Sequence, residues 1–137
     1  MDFQSLTDQQ IKELNLVEPG TYKFQVLRCD QKTSRNGQEY FNLKIRLYLG
    51  LKETIIYDML FFEGKMMFKT KHFCDAVGLE KQYLAGKLMP YECEGKEGSL
   101  QMIQNVNKQS GELESRVKDY IVPVKADGFI DDDVPNF

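Results

Sequence analysis

The sequence predicts a mainly β domain, a five-stranded barrel with one helix set between its third and fourth strands. Three observations lead there. Residues 40–49 alternate apolar and polar side chains over a full strand length, the period of a sheet with one buried face. Turn signals at Asn36-Gly37, Gly50 and Ser110-Gly111 separate strand-like runs at hairpin spacing. Between residues 64 and 77 the apolar period switches to that of a helix.

Each element follows in order. Thr7-Asp8-Gln9-Gln10 has the form of a capping box and opens a short N-terminal helix carrying Ile11 and Leu14. Glu18-Pro19-Gly20 interrupts the chain before a first strand, Thr21–Asp30. There Tyr22, Phe24 and Val26 share one face and Lys23 and Gln25 the other, while Leu27-Arg28 breaks the alternation and predicts a bulge or a strong bend nearby. Lys32–Gln38 is a polar hairpin connection. In the second strand, Tyr40–Leu49, the residues Phe41, Leu43, Ile45, Leu47 and Leu49 form one row; Tyr40, Asn42, Lys44, Arg46 and Tyr48 form the other. The third strand, Thr54–Phe61, is apolar at both parities, so Tyr57 can face either the core or a groove. Met66, Thr70, Phe73 and Val77 then recur at helical spacing, and Gly78 suits a helix end. After a linker through Gly86, strand character returns at Tyr91–Glu94, Leu100–Val106 and Arg116–Val122. Three meandering strands, a helix and two or three further strands is the order of an OB-fold barrel. An SH3-like barrel is the rival, and it usually lacks a helix of this length at that point. Residues 1–126 are expected to form the domain, and residues 127–137 a disordered acidic tail.

Composition narrows the function classes. A chain of 137 residues can bury a core without disulfide or metal staples. No apolar run approaches the roughly 18 residues of a membrane helix, and the first residues lack the basic-then-apolar order of a secretory leader, so a cytoplasmic protein without membrane contact is expected. Cys29, Cys74 and Cys93 cannot all pair and form no C-x-x-C, which reads as reduced, part-buried thiols. His72-x-Cys74 offers two ligands with no second pair, too few for a metal site, and no cofactor is expected. There is no P-loop, no clustered carboxylates for metals and no Ser/His/Asp order, so the chain is not expected to be an enzyme. Asp58 and Glu63 read as strand-end charges, the lysines 65, 69 and 71 with His72 as a solvated helix face, and Met66, Met67 and Phe68 as core.

The net charge of −3 conceals a basic body and an acidic end. Residues 127–137 hold Asp127, Asp131, Asp132 and Asp133 and no base, whereas Lys23–Lys71 contains ten Lys or Arg against five Asp or Glu. Within that body, the outward row of the second strand alternates two tyrosines with two cations. Unpaired nucleic acid needs this mixture: phosphates attract Lys and Arg, and unstacked bases stack on aromatic rings. The candidate binding residues are therefore Tyr40, Lys44, Arg46 and Tyr48, extended by Lys23, Lys32 and Arg35 as a basic rim and by Tyr57. Lys108, Arg116 and Lys118 are as readily explained as ordinary surface charge. Stacking and charge do not distinguish DNA from RNA, and homo-oligomerisation through strand edges stays open.

The final segment carries a resemblance. Asp131-Asp132-Asp133-Val134-Pro135-Asn136-Phe137 resembles the C-terminal tip of bacterial single-stranded-DNA-binding proteins, which ends in acids, an aliphatic residue, Pro and Phe. That resemblance implies a docking tip for replication, recombination and repair proteins, able also to compete with DNA for the groove. Asp131, Asp132 and Asp133 would be the acidic run, Val134-Pro135 the spacer and Phe137 the anchor; Asn136 departs from the pattern. The body is instead similar to short phage-encoded proteins found near recombination and replication genes. The carriers are Glu18–Tyr22, Lys32–Ser34 with Asn36-Gly37, Phe73–Leu79 and Arg116–Tyr120. Together these imply an OB-fold protein of a phage or prophage that binds single-stranded DNA with little sequence preference and recruits partners through its tail. The alternative is an adaptor or inhibitor whose tip alone engages host factors.

Overall fold

The computed structural model describes residues 16–123, together with Asp2 and Ser5. The expected N-terminal helix and the acidic tail lie outside the described residues. Within them the chain is mainly β: strands β1 (Gly20–Thr33), β2 (Glu39–Leu49) and β3 (Lys52–Phe61) are followed by helices α1 (Met67–Val77), α2 (Glu80–Ala85) and α3 (Pro90–Cys93), then strands β4 (Glu97–Val106) and β5 (Leu113–Tyr120). The strands form one antiparallel sheet in the order β3-β2-β1-β4-β5.

Local sequence explains most of these boundaries. The β1–β2 hairpin closes through Ser34 N–H to Gln38 O (2.7 Å) and Gly37 N–H to Ser34 O (3.0 Å). Gly37 takes φ +82, the left-handed conformation that a side chain would oppose by about 1–2 kcal/mol. The predicted irregularity at Leu27 is present: Val26 pairs with Ile45 and Arg28 with Lys44, leaving Leu27 as the extra residue of a bulge. Its consequence is a change of parity. Val26 and Cys29 both point into the core, and Arg28, Asp30 and Lys32 join the outward rows. Helix α1 ends where expected, with Gly78 at φ +83 and Leu79 N–H bonded to Cys74 O (2.8 Å).

Two expectations need correction. Tyr91–Glu94 is not a strand: Pro90 starts a helical turn, and the Glu92 carboxylate accepts the Met89 N–H at 2.8 Å. Four residues of alternating character are too few to separate a strand from one such turn. The linker before Gly86 also contains a helix, α2, with Glu80 in its first turn and Gly86 in the left-handed region at its end.

The core lies on one face of the sheet. Phe24, Val26, Phe41, Leu43, Ile45, Leu47, Leu60, Leu100 and Met102 meet Phe73 and Cys74 of α1 and Cys93 of α3. At its centre Tyr120 packs edge to face with both Phe24 and Phe73, with ring centroids 5.4 and 5.0 Å apart. Every second residue of β2 from Phe41 to Leu47 is buried, so this strand's register is strongly specified.

Candidate nucleic-acid interface

The opposite face of β1, β2 and β3 carries the predicted row in register with two others. Across β2 and β3 the outward pairs are Tyr40 with Phe61, Asn42 with Met59, Lys44 with Tyr57, Arg46 with Ile55 and Tyr48 with Glu53. On the other side of β2, Lys32 pairs with Tyr40, Asp30 with Asn42, Arg28 with Lys44 and Gln25 with Arg46. Register settles Tyr57. It stands opposite Lys44 and is 62% exposed, on the outward face. Met59 (47%) and Ile55 (42%) flank it on the same row, and Tyr40 and Phe61 stack with ring centres 5.3 Å apart. The β3 row of Ile55, Met59 and Phe61 was not recognisable beforehand, because β3 is apolar at both parities.

Electrostatics divide the cations of this face. Its two carboxylates on these strands are already engaged: Asp30 lies 3.1 Å from Arg28, and Glu53 lies 3.3 Å from Arg46. The Arg46 Nε is near Glu53 but misaligned for a hydrogen bond, and its Nη1 reaches Gln25 Oε1 at 3.4 Å. The side chains of Lys23, Lys32 and Lys44 have no hydrogen-bond or ion-pair partner among the described residues, and neither does that of Arg35 at the exposed hairpin tip. Lys23 and Tyr48 line one shallow depression with Ser99 of β4. The structure thus brings Tyr40, Lys44, Arg46, Tyr48, Tyr57, Lys32 and Lys23 onto one face, with Arg35 at its edge. Lys108 and Arg116 line a separate depression at the β4–β5 hairpin. The tail residues Asp131, Asp132, Asp133, Val134, Pro135 and Phe137 lie outside the described residues.

The helix charges correct two expectations. Lys69 is not a solvated lysine but is 5% exposed, with its Nζ 2.7 Å from Asp58 Oδ1 and 3.4 Å from Val117 O. Asp58 is no strand-end charge: its other oxygen accepts the Tyr120 hydroxyl at 2.7 Å. Burial pushes the Asp58 carboxyl above its ordinary value, against the opposing pull of the Lys69 ammonium. Burial, reinforced by Asp58, likewise raises the Tyr120 phenol. This triad joins β3, α1 and β5, tying together the two outer strands of the sheet. Met66 and Phe68 are solvent-facing rather than core, and Lys71 pairs with Asp75 at 2.8 Å.

His72 and Cys74 do not converge on a ligand. His72 Nδ1 lies 2.9 Å from both carboxylate oxygens of Asp119, whereas Cys74 is wholly buried. Burial raises the Cys74 thiol to about 12. Cys93 is raised by its hydrogen bond with the Cys29 thiol and by burial. Among the described residues, no three His, Cys, Asp or Glu side chains group so as to hold a metal ion. No helix among the described residues is long and apolar enough to cross a membrane.

What the exposed face offers is therefore specific: unneutralised ammonium groups interleaved with accessible rings and a thioether, on a three-stranded antiparallel platform. Comparison with known protein families finds no matching family, and comparison with curated proteins finds no matching sequence.

Proposed function

We propose that this protein binds single-stranded DNA across the outward face of β1, β2 and β3, with little dependence on base sequence. The observation that carries the reading is the Lys44–Tyr57 pair, an unpartnered cation beside a 62% exposed ring, flanked by Tyr40, Tyr48 and Phe61. Bases stack on the rings, at about 1–3 kcal/mol each, while phosphates meet Lys23, Lys32 and Lys44. Both contacts are indifferent to base identity.

The fold assignment belonging to this reading is a partly open OB-type barrel. It is supported by the strand order, by helices between β3 and β4, and by the Asp58–Tyr120 contact between the outer strands. The resemblance described above supports a role in phage or prophage replication or recombination, with partner recruitment assigned to Asp131, Asp132, Asp133, Val134, Pro135 and Phe137.

Fluorescence titration with oligo-dT, the matching RNA and duplex DNA, run in parallel at several salt concentrations, tests the reading. Tight binding to oligo-dT, much weaker binding to duplex and a steep fall with salt are expected. Equal affinity for duplex would overturn it.

A further inference from the structure

A second recognition feature lies on the other side of the β2–β3 hairpin. A cleft of about 350 Å³ opens between the hairpin and helix α2, within the size range of small-ligand sites. Its apolar lining is Phe41, Phe62, Met67, Tyr83 and Leu88, and Phe41 and Phe62 meet edge to face with centroids 4.7 Å apart. The charges at its rim are Glu39 and Lys87. Glu39 is held by Gln31, and the Lys87 ammonium group has no partner among the described residues. The cleft therefore presents aromatic walls, a free ammonium group at Lys87 and, at Glu39, a carboxylate hydrogen-bonded to the Gln31 amide.

The path of the chain identifies an occupant. Val122 and Pro123, where the described residues end, lie in a depression shared with Tyr83 and Leu84 of α2. Tyr83 also walls the cleft, so the depression at the exit point and the cleft share this residue. Fourteen residues of the sequence follow Pro123, enough to span roughly 45 Å when extended. Among them are three consecutive acids followed by Val134-Pro135-Asn136-Phe137. An aromatic residue suits the walls, and acids a few positions earlier suit Lys87.

We infer that the cleft is a docking site for the chain's own tail, with Phe137 between Phe62, Met67 and Leu88 and the acids Asp131–Asp133 beside Lys87. Tethering makes this effective even when the contacts are individually weak, because a short linker holds the segment at a local concentration on the order of millimolar. Phe41 and Phe62 follow the outward residues Tyr40 and Phe61 by one position and face away from them, so a docked tail leaves the nucleotide platform clear. Docking withholds Phe137 from other proteins instead. The inference stands on the cleft and the exit point, and holds or fails independently of DNA binding.

Methyl NMR of the full chain, labelled at methionine methyl carbons, provides the test. The six methionines include Met67 in the cleft, Met59 on the platform and Met102 in the core. Phe137→Ala should move the Met67 signal by removing a ring from its surroundings, while Met59 and Met102 stay in place and report an intact fold. Lys87→Glu should move Met67 in the same direction, as should high salt, which screens the acid–lysine attraction. The wild-type Met67 signal should not change on dilution. A Met67 signal unmoved by Phe137→Ala would overturn the inference. So would a signal that reaches the Phe137→Ala position on dilution, since the occupant would then be the tail of a second copy.

Discussion

Lys44 lies on the outward face beside Tyr57 whereas Lys69 lies in the core, and the contrast between them organises the molecule. Lys69 is buried and satisfied by Asp58 and the Val117 carbonyl. Lys44 stands beside the exposed Tyr57 ring with no partner among the described residues. A buried charge whose partners are supplied internally fixes geometry, and has nothing left for a ligand. A partly exposed charge left unneutralised adds little to the fold and retains its attraction for an anion. The two lysines therefore predict two phenotypes, one in stability and one in binding.

The largest expected effect is at the buried lysine. Asp58→Ala leaves the Lys69 ammonium in the interior without its carboxylate, and a loss of about 3–5 kcal/mol is expected in urea unfolding. Replacing both members by apolar residues, Asp58→Leu with Lys69→Met, should recover much of that loss, because no unpaired charge remains. A double replacement as unstable as the single would show that the triad acts by more than charge satisfaction.

The pH dependence at Asp58 sharpens the contrast. Its carboxyl is raised above the ordinary 3.8, first by burial. The native state then holds the proton more tightly than the unfolded chain, so the associated stability is present below 3.8 and is lost as pH rises through the interval up to the folded value. Asp58→Asn has no such proton. The stability advantage of wild type over this variant should shrink as pH rises through that interval; a widening gap would contradict the assignment.

On the outward face the expected effects are smaller and appear in binding. Tyr57→Ala should weaken oligo-dT affinity by about 1–3 kcal/mol while changing unfolding stability by no more than about 0.5 kcal/mol, as expected for a surface site. Lys44→Ala should lower the magnitude of the slope of log affinity against log salt by about 0.7, one single-strand phosphate's share. Arg46→Ala should have less effect than Lys44→Ala, since Arg46 is already shared between Glu53 and Gln25. If Lys44→Ala and Tyr57→Ala both bind as wild type, the strand does not lie on this face.

How much of this was readable beforehand depends on how each residue is specified. The β2 row was legible because burial of one face imposes strict alternation, and Phe41, Leu43, Ile45 and Leu47 show it without exception. The Leu27 bulge was legible for the same reason, as a break in that rule. The β3 row was not. Ile55, Tyr57, Met59 and Phe61 alternate with Thr54, Ile56, Asp58 and Leu60, and neither set is polar enough to mark the solvent side. Lys69 departs from expectation because a lysine on a helix is ordinarily solvated. Its distinguishing feature is a carboxylate 11 positions earlier, which is bonded in turn to a tyrosine 62 positions after it.

Local pattern by itself determined that the chain is mainly β, that a helix follows the third strand, and which side of β2 faces outward. These depend on periodicity, turn glycines and burial along one segment, all of which are written in consecutive residues. Tertiary structure alone decided which β3 residues join that face, which lysines are already neutralised, and that Tyr83 lines both the depression at the chain's exit and an apolar cleft. Those outcomes depend on cross-strand register and on contacts between distant segments, whose energies arise only when the sheet and helices pack together.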